Sequence, residues 1–152
     1  MEKATLAAEL FVQGYNCAQA IAVAFCDEIG MDKDHAAKMA SSFGGGMGRM
    51  REVCGAVSGM LLVAGILYGY DTPDDDEIKK AHYQLVQELA GDFRQQIGSI
   101  ICRDILDNPS SDPVPSPRTA AYYQDRPCAR MVYTAAQILD DYIRQNPVTP
   151  KK

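Results

Sequence analysis

FGGGMGRMREVCGAVSGMLLVAGILYGY, residues 43–70, joins a glycine cluster to a short charged patch, a cysteine and a long uncharged run. From Val53 to Tyr70 no side chain carries a charge. Gly55 and Gly59, then Gly65 and Gly69, recur at a spacing of four, and residues four apart share a helix face. Each pair therefore predicts a smooth strip against which a neighbouring backbone can pack. Interior glycines cost a helix about 1 kcal/mol each relative to alanine, so close packing has to offset them. A helix apolar all round is buried in protein or in lipid. The run is just long enough to be a membrane candidate, and small residues at this spacing also mark transmembrane contacts. It is, however, the single run of its kind, and it is rich in glycine rather than leucine. Amphipathic segments on both sides need an apolar partner. The expectation is a central core helix with no membrane association.

Those flanking segments all have helical period. Ala4 to Gln13 places Leu6, Ala7, Leu10 and Phe11 on one stripe, and Gly14 stops it. Asn16 with Gln19 reads as a capping box opening a helix to about Glu28. Asp32 caps a third helix through Ser42. After the central helix, Asp71 to Asp76 supplies a turn and an acidic start that suits the helix dipole. Ile78, Leu85, Leu89, Phe93 and Ile97 mark a long amphipathic helix, and Gly98-Ser99 restarts a shorter one to about Leu106. Asn108 to Thr119 holds four of the eight prolines and reads as a long exposed loop. A last helix runs from about Pro127 to Gln145. No segment alternates as a strand does. The expected fold is all-α: a single-domain bundle of about six helices over 1–146, around a buried Gly-rich central helix, with 147–152 a flexible tail.

Composition narrows the function. The 152 residues suffice for one domain with a real core. A net charge of −5 and the lack of any lysine or arginine run argue against nucleic acid. MEKATLAAEL lacks the apolar core of a signal peptide, so a cytoplasmic location is expected, where the five cysteines are reduced. Their odd number and wide spacing fit a disulfide framework poorly.

The cysteines fall at meaningful places. Cys17 follows the Asn16 cap, Cys54 opens the central helix, Cys102 stands three residues beyond Ser99, and Cys128 follows Pro127. Four of the five thus lie in an expected first helical turn, whereas Cys26 lies late in its helix and roughly opposite Cys17. Helix N-termini and cationic neighbours favour the thiolate, which is the nucleophile and the metal ligand. Arg49 and Arg51 precede Cys54, Arg103 follows Cys102, and Arg126 and Arg130 flank Cys128. Each cysteine taken alone is equally readable as inert packing.

Taken together, Cys17 in GYNCAQA, the GGGMGRMREVCGAVSG segment, and the later single Cys102 and Cys128 resemble the C_GCAxxG_C_C family. That family is named for four characteristic cysteines and described as redox-active. The resemblance spans nearly the whole chain and implies a redox role without a substrate; Cys26 lies outside its pattern.

Other motifs carry less. Gly44-Gly45-Gly46-Met47-Gly48 lacks the Lys-Ser/Thr of a P-loop and reads as a tight turn. Its free N–H groups, at Gly45 and Gly46, could cradle an anion or substrate together with Arg49 and Arg51. His35 and His82 have no metal-binding partner at i+4. Three readings stand: thiol–disulfide chemistry with a redox partner or small thiol and no bound cofactor; Zn²⁺ or an iron–sulfur cluster held by Cys17, Cys54, Cys102 and Cys128; or a helical interaction module, a homodimer through its glycine face. The first leads. It requires those four cysteines to converge on one pocket and Cys26 to stay outside.

Overall fold

The computed structural model describes residues 2–107, 109–125 and 127–148. Among them the chain is all-α, with eight helices and no strand. They are α1 (Lys3–Val12), α2 (Cys17–Ala24), α3 (Lys33–Ala40), α4 (Gly55–Tyr68), α5 (Asp76–Ile97), α6 (Cys102–Leu106), α7 (Ala120–Asp125) and α8 (Cys128–Gln145). The short α6 answers to the helix expected up to about Leu106, and the helix not foreseen is α7. The six residues of α7, AAYYQD, are too few to set up a hydrophobic period.

The caps read from the sequence form where expected. The Asn16 side chain accepts from Gln19 N at 2.8 Å, and Gln19 Oε1 accepts from Asn16 N at 3.1 Å. Asp32 caps α3 and Asp75 caps α5 through the same N3 geometry. Ser99 is displaced from the role given it: Ile101 holds the cap position of α6, and Ser99 Oγ accepts from Ile101 N instead.

Buried side chains from Ala4 to Leu139 form one cluster. Its centre is α2, not the Gly-rich helix. Seven of the eight residues of α2 are buried, against seven of fourteen in α4. The physical reason is side-chain size. Ala18, Ala20, Ala22 and Ala24 let α1, α3, α4 and α8 all approach the α2 backbone, whereas α4 leaves Ile66 about half exposed. The glycine pairs of α4 also differ. A Cβ on Gly59 would lie 2.8 Å from Ala18 O and 3.0 Å from Ile21 Cβ, and one on Gly55 would fall on Cys17 Sγ. Gly65 has nothing within 4 Å, and Gly69 merely caps the helix. The strip that serves close packing is thus the N-terminal pair, and α2 occupies it. Any glycine face left for a second copy is the stretch around Gly65 and Ile66.

Between α3 and α4 the glycine cluster forms one tight left-handed turn. Gly45, Gly46, Met47, Gly48, Arg49 and Arg51 all have φ between 57° and 72°. The region costs an L-residue roughly 1–2 kcal/mol, so three non-glycine residues there store strain. Backbone bonds from Arg51 N to Gly45 O (3.2 Å) and Glu52 N to Gly46 O (2.9 Å) hold it closed. No helix among the described residues is long and apolar enough to cross a membrane. At the C-terminus, Tyr68 Oη donates to Asn146 O at 2.7 Å, and Pro147 and Val148 are exposed. Residues 149–152 of the expected tail, with Asn108 and Arg126, lie outside the described residues.

The contrast between the glycines is measurable by urea denaturation. Gly59→Ala pushes backbone against backbone and is expected to destabilise by about 1–3 kcal/mol, the usual cost of overpacking. Gly65→Ala enters open space and is expected to stabilise by ~0.5–1 kcal/mol through helix propensity. Equal effects would refute the packing described for α2 and α4.

Candidate functional site

Each of the four cysteines sits at a helix start. Cys17, Cys102 and Cys128 are the first residues of α2, α6 and α8, and Cys54 is the cap residue of α4. Two features bring the starts together. An isolated antiparallel bridge pairs Val53 with Ile101, with Cys54 N donating to Ile100 O at 2.7 Å and Cys102 N to Glu52 O at 2.6 Å. That fixes the start of α6 beside the start of α4. Gly55 then lets Cys17 Sγ lie against the α4 backbone, and Gly46 lets Cys102 approach the left-handed turn, where an added Cβ would sit 2.8 Å from Cys102 Cβ.

Cys17, Cys54, Cys102 and Cys128 all line one cavity of about 280 Å³, together with Gly45, Arg49 and Arg51. Cys26 does not line it. It lies beyond the end of α2, half-buried, with its thiol toward Asp27 Oδ1 at 3.9 Å. Gly46 packs behind the cavity wall against Cys102, while the Gly45 N–H favours the Cys17 anion. None of the cysteines is in a disulfide. Among the described residues no three Cys, His, Asp or Glu side chains group closely enough to hold one metal ion. The thiols share a cavity here without forming the four-thiolate cage that the Zn²⁺ or iron–sulfur reading requires.

The Pro-rich segment is solvent-exposed along most of its length, yet it is a strap rather than a free loop. Pro113, Pro115, Ser116 and Arg118 cover the cavity. Arg51 Nε donates to Ser110 O and Arg49 Nε to Asp112 O, both at 2.8 Å, and Arg49 Nη1 donates to Ser116 Oγ at 3.2 Å. Arg118 closes the far end. It donates to Phe11 O (3.2 Å) and Tyr15 O (3.3 Å), and its guanidinium lies 4.7 Å and 4.8 Å from the Phe11 and Tyr122 ring centres. Cation–π contacts of this kind contribute about 0.5–2 kcal/mol.

Arg118 and its aromatic seat were not singled out in the sequence. The available signal was a lone cation at the end of a proline run, four residues before Tyr122, but its seat on Phe11 is a long-range contact. Of the other arginines, Arg103 pairs with Glu52 at 2.7 Å on the surface, and Arg130 lines a separate depression with Pro127 and Asp104.

The closed strap reverses one expectation. Helix N-termini were expected to favour thiolates at these cysteines. Burial instead pushes the Cys17 thiol up, outweighing the N–H groups of Gly45 and Ala18 that favour its anion. Burial pushes Cys54 up as well, reinforced by neighbouring Cys17, against the N–H groups of Ala56 and Val57. Charge on Cys102 reaches Cys17, and charge on Cys17 and Cys128 reaches Cys54, so the sulfurs interact as one group. Cys102 has a permanent cation against its sulfur: Arg51 Nη1 lies 3.7 Å from Cys102 Sγ.

A stability consequence follows from the two raised thiols. The folded state keeps protons on Cys17 and Cys54 that the unfolded chain loses near its ordinary value of 9.0. Unfolding therefore releases protons above that pH, and stability is full below it and falls as pH rises through it. Thermal unfolding between pH 7 and 10.5 is expected to show this decline, and a Cys17→Ser/Cys54→Ser double variant to show a smaller one. An identical decline in both proteins would contradict the burial described here.

Comparison with curated proteins and with solved structures finds no match. One family's sequence model, described as "Putative redox-active protein (C_GCAxxG_C_C)", matches residues 15–142, which span the cavity-lining segments from Asn16 to Met131. The match covers most of the chain, and the protein belongs to the C_GCAxxG_C_C family.

Proposed function

We propose that the cavity carries out thiol–disulfide chemistry, with Cys102 as the attacking residue and Cys17 as the resolving one. The observation that carries this reading is the gathering of four helix-start cysteines around one cavity that leaves Cys26 out. Inert packing cysteines have no reason to collect beside arginines. Among the four, Cys102 has Arg51 against its sulfur, which stabilises negative charge developing there.

The Cys102 thiolate attacks one sulfur of a substrate disulfide; a new S–S bond forms to Cys102 as the substrate bond breaks, and the leaving thiolate takes a proton from solvent. Cys17, deprotonated as water enters, attacks Cys102 Sγ and displaces the second substrate thiolate. The result is a Cys17–Cys102 disulfide and two substrate thiols, with two electrons moved from protein to substrate. A low-molecular-weight thiol or a dithiol partner returns the electrons. Opening of the strap admits both reactants and water, since the closed cavity keeps Cys17 and Cys54 as thiols. In this reading Cys54 and Cys128 extend the thiol group within the same cavity, and the protein works in a reducing compartment such as the cytoplasm.

Single-turnover reduction of bis(2-hydroxyethyl) disulfide by the reduced protein tests the assignment. Cys102→Ser is expected to slow it at least about 100-fold, since the nucleophile is gone. Cys17→Ser is expected to stop after the first step, leaving a mixed disulfide on Cys102 visible as added mass. Cys26→Ser is expected to behave as the parent does. No slowing in Cys102→Ser would overturn the role given to Cys102.

A further inference from the structure

We infer that the cavity selects a small anionic disulfide, one bearing a carboxylate near its S–S bond, and that Arg51 is the residue that receives the anionic group. This inference rests on the thiol–disulfide reading and names the substrate class for the same site.

Three observations support it. The first is the wall charge. In a chain of net charge −5, the described residues lining the cavity include Arg49, Arg51 and Arg118 but no aspartate, glutamate, lysine or histidine. Asp112 is exposed and does not line the cavity; its carboxylate bonds to Ser110 and Val114 and lies 4.0 Å from Arg49 Nη2, so it offsets part of the Arg49 charge from outside the cavity. A low-dielectric pocket with one sign of charge concentrates ligands of the other sign.

The second observation is Arg51 itself. It is only 4% exposed, and a buried cation normally has a carboxylate or a full set of acceptors. Its Nε is bonded to Ser110 O and its Nη1 faces Cys102 Sγ, but its Nη2, covered while the strap is closed, has no hydrogen-bond partner among the described residues. One guanidinium therefore holds the attacking sulfur with one arm and leaves a donor unsatisfied beside it. An anionic group two or three bonds from a reacting sulfur would satisfy that donor and set the S–S bond at Cys102. The planar fork of arginine suits a carboxylate for this purpose.

The third is size. A volume of about 280 Å³ is at the small end for ligand sites and suits a molecule of about ten heavy atoms, not a nucleotide cofactor. The strained left-handed turn serves the same end, because it is what delivers Arg51 from the backbone into the wall.

The test uses three disulfides of similar size and different charge with the full-length reduced protein: 3,3′-dithiodipropionate (dianion), bis(2-hydroxyethyl) disulfide (neutral) and cystamine (dication). Rates are corrected for each probe's intrinsic reactivity with a small free thiol. The dianion is expected to react at least about tenfold faster than the dication at low salt, and the ratio to shrink as salt rises. Arg51→Gln is expected to bring the ratio near one, and Arg51→Lys to restore part of it. Suberate, which replaces the S–S bond by two methylenes and cannot react, is expected to raise the unfolding temperature of the parent protein. Equal corrected rates for dianion and dication in the parent, or a preference for cystamine, would overturn the inference while leaving the thiol–disulfide reading intact. If no disulfide reacts but suberate stabilises the parent, the anion site stands and the redox assignment fails. If neither occurs, both fail.

Discussion

The approach of α2 to the start of α4 is the contact on which the rest depends. Gly55 has no Cβ, so Cys17 Sγ occupies the space a side chain would have taken, and Gly59, about one turn further on, seats Ala18 and Ile21. The close pairing buries the alanine face of α2 and aligns its N-terminus with that of α4. The Val53–Ile101 bridge then adds α6, and the Pro127–Cys128 start of α8 completes the ring. Strain in the left-handed turn is tolerated because these contacts over-determine its two ends.

Burial and helix ends oppose each other at the thiols, and burial prevails in the closed form. A few N–H donors give a thiolate only part of what water would, because a sulfur anion in a dry cavity has lost its hydration. Arg49, Arg51 and Arg118 hold the strap over the cavity in which burial pushes the Cys17 and Cys54 thiols up. At Cys102, also a helix start, the Arg51 guanidinium lies against the sulfur as well.

Local signals in the sequence translated well. Asn16 with Gln19, Asp32 before α3 and Pro127 before α8 are short-range chemistry; they set Cys17 and Cys128 at helix starts, while Cys54 was placed by the Gly-rich turn and Cys102 by Ser99, two residues before the true cap. The glycine pairs were readable as a spacing but not as a partner: the same four-residue period is a packed strip at Gly55–Gly59 and an open surface at Gly65. Centrality of α2 was hidden because its apolar run, Ala20–Cys26, is short, whereas Val53–Tyr70 is long and uncharged throughout. The strap looked like a loop because prolines report local stiffness, and its anchors on Phe11, Tyr15, Arg49 and Arg51 are all distant in sequence. Arg118 was invisible for the same reason.

A redox titration in glutathione buffers, with acid quenching, alkylation and peptide mapping at each point, tests the central claim most directly. The account predicts a single two-electron transition in which Cys102 becomes disulfide-bonded to another cavity cysteine, Cys17 first, while Cys26 stays alkylatable throughout. A titration in which the cavity cysteines stay reduced under oxidising conditions, or in which Cys26 is the residue that pairs, would contradict it.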